Sequence, residues 1–108
     1  MDIKAWLEQA GEPVAEVAFR PGKAPKSYPY ITFLDHVERS GGDMLNLEKR
    51  HSLTVERYSD TADDNMTLEE LFDAKAVKHT KEKQWLSDDQ CYMTTYDFET
   101  ILIEREDI

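Results

Sequence analysis

Residues 28–58 read YPYITFLDHVERSGGDMLNLEKRHSLTVERY, and how the two ends of this stretch pair decides the fold. From Tyr30 to Val37 the chain is rich in β-branched and aromatic residues, and residues 51–58 share that preference, with Leu53, Val55 and Arg57 on one face. Two strands are expected, joined through Gly41, Gly42 and Asp43. That glycine pair lacks the following helix and the spacing of a phosphate-binding loop, so it is read as a structural turn whose glycines supply positive φ.

On the N-terminal side, Ile3, Trp6, Leu7 and Ala10 fall at i, i+3, i+4 and i+7. Asp2 is placed to cap this short amphipathic helix and Gly11 to end it. Ala15, Val17 and Phe19 then alternate with Glu16, Ala18 and Arg20, the period of a half-buried strand. The segment PGKAPKSYP breaks the pattern, which makes residues 21–27 a loop.

On the C-terminal side, Thr67-x-x-Glu70 has the form of a capping box, and Leu68, Leu71 and Phe72 make an apolar stripe. A second helix is therefore predicted from about Leu68 to Ala76, after the acidic lead-in Asp60 to Asn65. A hairpin closes the chain: a strand from Lys78 to Leu86, a turn at SDDQ, and a long strand from Cys91 to Ile103 with Tyr92, Tyr96 and Phe98 on one side. Trp85 and Tyr92 should face each other across that turn.

These elements predict a single α+β domain over residues 1–108, a mostly antiparallel sheet of about five strands with two helices on one face, in the order α-β-β-β-α-β-β. Trp6, Leu7, Phe19, Phe33, Val55, Leu71, Phe72 and Phe98 are the expected core. At 108 residues there is room for one core of ordinary size. Apolar residues at 40% and charged residues at 33%, interspersed, are a globular mixture.

The formal charge of −10 argues against a general nucleic-acid binder, which needs clustered Lys and Arg, and against an anionic membrane surface. Cys91 is the single cysteine, so no internal disulfide can form, which fits a reducing compartment. The N-terminus does not read as a signal peptide, and no run approaches the roughly 18 apolar residues of a membrane span.

Three constellations invite chemistry. If the hairpin is centred near Asp43 and Met44, His36 lies opposite His51, with Glu38 on the same face, a metal-ligand set that would suit a small metal-dependent hydrolase. A solvated cross-strand pair is the plainer reading. Asp35 and His36 are adjacent on a strand and point to opposite faces, so they cannot serve one substrate directly. The cluster Asp60, Asp63, Asp64, Glu69, Glu70 and Asp73 would suit an acidic DNA-mimic inhibitor, against the plain reading of a solvated loop and helix face. No catalytic residue, cofactor or metal ligand is assigned.

Taken in order, PVAEVAF (13–19), YPYITFL (28–34), SGGDMLN (40–46), HSLTVERYSD (51–60), TLEELFDA (67–74) and QCYMTTYDFETILIE (90–104) resemble a family of short phage proteins. Its members are encoded in the head–tail assembly region of long-tailed bacteriophages and prophages, particularly of Gram-positive bacteria. They are described as tail-terminator, tail-completion or head-to-tail joining proteins. The resemblance implies a non-enzymatic virion structural protein made in the host cytoplasm and acting as a ring, commonly of six copies, against tail-tube and head-connector proteins. It implies no specific nucleic-acid binding, although DNA would pass through the ring, and no membrane. Arg20, Lys23 and Lys26, basic in an acidic chain, are the expected subunit-contact loop; with the basic approach Lys75, Lys78, Lys81 and Lys83 and the acidic residues 60–73, they offer opposite charge on separate surfaces for a contact between neighbours, against the plain reading of three solvated faces.

Overall fold

The computed structural model describes residues 2–20, 27–41 and 48–105. Helix α1 (Ile3–Glu8) leads to strand β1 (Val14–Glu16), then β2 (Tyr30–Ser40), β3 (Glu48–Ser59), helix α2 (Met66–Lys75), β4 (His79–Leu86) and β5 (Cys91–Arg105). The strands form one sheet in the order β1-β2-β3-β5-β4, with β1 parallel to β2 and every other pair antiparallel. The architecture is the expected α+β fold, with α1 and α2 on one face of the sheet.

Local chemistry sets the ends of both helices. The Asp2 carboxylate accepts from the Ala5 amide at 3.1 Å, and Gly11, at φ 83°, takes the left-handed conformation just beyond α1. At α2 the cap is Asn65 and not the predicted Thr67: its Oδ1 accepts from Leu68 N at 2.9 Å, so the helix begins at Met66. Asn65 prevails because its Nδ2 is also anchored, donating to the Ala10 carbonyl at 3.1 Å and to Glu12 at 2.8 Å.

The core lies between the helices and the middle of the sheet. Ile3 and Leu7 of α1 and Leu68 and Phe72 of α2 are buried against Ile31, Phe33, Leu53, Val55, Tyr96, Phe98 and Ile101. Phe72 is its centre, with ring centroids 5.6 Å from Trp6, 4.9 Å from Tyr96 and 4.7 Å from Phe98. Trp6 and Leu71 are only half-buried. Phe98 and Ile101 both face this core although three residues apart, because β5 slips register against β3 around Ser52, as a β-bulge does.

Strand β1 departs from the expected alternation. Val14 is its buried residue, Val17 is 66% exposed at φ 65°, and the strand stops at Glu16. A tight turn causes this: Ala18 N donates to Glu16 O at 2.7 Å around Val17. The chain then carries Phe19 to Tyr30, where the two rings meet edge to face at 5.5 Å outside the main core.

Candidate functional site

The expected contact loop is described only at its start. Arg20 is exposed, while Lys23 and Lys26 lie outside the described residues, as do Gly42 and Asp43 of the structural turn. Gly41 is exposed just past the end of β2.

The β4 lysines meet acidic residues inside their own chain. Lys81 Nζ lies 2.7 Å from both Asp64 and Glu69, and Lys83 Nζ lies 2.6 Å from Asp64. Glu69 also accepts from the Tyr96 hydroxyl at 2.7 Å. Hydrogen bonds from Lys81 and Lys83 hold the Asp64 carboxyl below its ordinary range. Lys78 lies 3.7 Å from Glu99, and Lys75 stands 5.7 Å above the Trp6 ring. Charge complementarity within the chain thus fastens β4 to the start of α2.

The metal-ligand alternative fails on register. His36 pairs with Ser52, and His51 pairs with Val37, one residue from the assumed alignment. A slip of one residue exchanges the two faces of a strand, so His36 and Glu38 lie on one side of the sheet and His51 on the other. His36 Nε2 instead lies 3.3 Å from Thr54 Oγ1. Among the described residues no group of His, Cys, Asp and Glu has a metal-holding arrangement.

The true register builds a different cluster, on the helix-side face where the helical layer ends. His51 is buried, with Nδ1 2.9 Å and 3.0 Å from the two Asp35 oxygens and Nε2 2.5 Å from Glu104, so β2, β3 and β5 are joined through one imidazole. Burial works to lower the His51 pKa, but the hydrogen bonds and charges of Asp35 and Glu104 outweigh it and the pKa is raised. Beside the cluster is a cavity of about 280 Å³ lined by Asp2, Ile3, Lys4, Glu16, Phe33, Asp35, His51, Leu102 and Glu104. Each ring nitrogen of His51 is engaged by a carboxylate, both of them as donors only while the imidazole is protonated, and no hydroxyl or thiol side chain is among the described residues lining the cavity. The arrangement works as an ionic fastener. Sequence reasoning separates Asp35 from His36 correctly, yet the partner of Asp35 is legible only with the register known.

On the opposite face, Tyr30 stacks between Tyr28 at 5.5 Å and Tyr58 at 5.0 Å, with Phe19 at its edge. Burial, reinforced by Glu56, pushes the Tyr58 pKa up to about 12. Trp85 and Tyr92 meet across the β4–β5 turn at 4.9 Å, as expected of a cross-strand pair.

No protein-family model matches the chain, and no curated protein or solved structure is significantly similar to it.

Proposed function

We propose that the chain is a virion structural protein of a long-tailed phage, placed at the head–tail junction or the head-proximal end of the tail and acting by assembly. The observation that carries this reading is the order of its segments: a proline-aromatic strand, a glycine-aspartate turn, the LTVERYSD strand, an acidic helix and a closing tyrosine-rich strand, spanning nearly the whole chain. The fold suits such a role, since among the described residues its sheet has backbone free along half of β2 and along the outer side of β4. A net charge of −10 would let a DNA duplex slide past without being held.

The DNA-mimic alternative draws on the acidic cluster, but Asp64 and Glu69 are engaged by Lys81 and Lys83 of the same chain, which leaves a smaller negative surface. Deleting the reading frame from its phage or prophage and imaging the lysate separates the readings. Heads and tails that fail to join, or tails of irregular length, restored by supplying the protein, are expected. Normal infectious particles without it would refute the assembly role.

A further inference from the structure

Strand β1 covers only Ile31, Thr32 and Phe33 of β2, so among the described residues nothing pairs with the outer edge of β2 from Leu34 to Ser40. The direction of that edge's backbone groups is fixed by the bonds β1 does make. Ile31 N donates to Pro13 O at 2.8 Å and Phe33 O accepts from Val17 N at 2.7 Å, so the odd-numbered residues turn their N–H and C=O outward. Alternation along the strand then points the backbone groups of Asp35, Val37 and Arg39 outward, away from β3.

We infer that a second copy of this chain pairs here, β2 against β2, antiparallel about a twofold axis through Val37. The inference does not rest on the phage reading. A twofold contact needs a self-complementary edge, and LDHVERS is one. Centred on Val37, the pairing sets Asp35 opposite the second copy's Arg39, His36 opposite its Glu38, and Leu34 opposite its Ser40. Asp35, Val37 and Arg39 all carry outward backbone groups, so these pairs exchange both of their backbone bonds in the ordinary antiparallel pattern. Only registers shifted by whole residue pairs keep that match. The shift one way opposes Glu38 to itself, and the shift the other way drives Arg39 into the place held by β1 at Phe33.

Two further features favour this occupant. Val37, at the centre, is one of the few large apolar side chains left exposed, at 47%. Asp35, which would face the second copy's Arg39, lines the cavity that also carries Asp2, Glu16 and Glu104 against Lys4 and His51, an acidic recess beside the edge that suits a guanidinium. The outer edge of β4 offers no such match, because a twofold centred in the middle of β4 sets Lys81, Glu82 or Lys83 against its own copy. In the inferred dimer the two sheets become one, with all four helices on the same side.

Sedimentation equilibrium at micromolar concentration, with circular dichroism to check folding, tests the contact. The parent protein is expected at twice its 12.6 kDa mass, and Val37→Pro at 12.6 kDa. Because the Val37 N–H faces outward, proline there removes no bond inside the subunit, yet it should weaken association at least about tenfold. Charge exchange gives an independent arm. His36→Glu alone sets Glu against Glu38 twice and should be monomeric, and mixing it with Glu38→Lys should restore a mixed dimer. A parent protein that stays monomeric to about 100 μM, well above the range of stable specific dimers, overturns the inference. So does a Val37→Pro dimer, or a mixture that fails to associate.

Discussion

Arg57 and Glu12 form a forked ion pair inside the protein: Nε donates to Oε1 at 2.9 Å and Nη2 to Oε2 at 3.0 Å, with both side chains less than a tenth exposed. Glu12 also takes the Asn65 amide, and Arg57 Nη1 donates to the Asp63 carbonyl at 2.9 Å, so one network ties β3 to the segment after α1 and to the cap of α2. Buried charges of this kind are costly to leave alone and modest in net worth as a pair. Glu12→Ala should therefore cost about 3–5 kcal/mol in urea unfolding, whereas the double variant Glu12→Leu, Arg57→Met should cost much less than the sum of its singles. Additive losses would show that the two groups act independently.

Stability should fall with rising pH through His51. Its folded pKa is raised above 6.5, so the imidazolium contribution is fully present below about pH 6.5 and is lost as the pH climbs through the higher folded value. His51→Gln should cost about 1–2 kcal/mol near pH 5.5, the range of a charge-assisted hydrogen bond discounted for the half-exposed Glu104, and less near pH 8.5. Denaturant midpoints of parent and variant across this range provide the measurement. A constant gap between them would mean that the imidazole is held by packing and not by charge.

The two aromatic anchors of the helices should not be equal. Phe72 is fully buried and meets Trp6, Tyr96 and Phe98, so Phe72→Ala is expected to cost about 3–5 kcal/mol. Trp6 is half-buried under Lys75, and Trp6→Ala should cost about 1–3 kcal/mol, since less of its surface is removed from water. Equal losses in thermal or denaturant unfolding would require Trp6 to be more deeply packed than its exposure implies.

What the sequence conveys follows from the range of each signal. Periodicity and β-branched content locate all seven elements and the Leu53, Val55, Arg57 face, because these are local properties of the chain. Register is not local. Placing His36 opposite His51 in place of Ser52 is an error of one residue, and it converts an Asp35–His51–Glu104 fastener into an imagined metal site. The buried pairing of Glu12 with Arg57 spans 45 positions and has no pattern to betray it. The lysines of β4 look like an outward patch for a related reason, since only the folded chain brings Asp64 beneath them.

The end of β1 stores strain that can be relieved. Val17 sits at φ 65°, and its side chain is 66% exposed, so little packing compensates for a conformation in which a β-branched residue is a genuine outlier. The backbone around it enforces that conformation: Val17 N donates to Phe33 O and Ala18 N to Glu16 O, both at 2.7 Å. Glycine adopts positive φ without steric penalty, but it also adds freedom to the unfolded chain, a loss of roughly 0.5–1 kcal/mol. The left-handed penalty for a residue with a Cβ is about 1–2 kcal/mol and larger for valine, so the balance favours Val17→Gly by about 0.5–1 kcal/mol. Val17→Ala, which keeps the Cβ but loses the branch, should fall between the two. If urea midpoints instead ranked valine above alanine above glycine, the turn would not hold Val17 in this conformation, and β1 would run on toward Phe19 as its alternating sequence suggests.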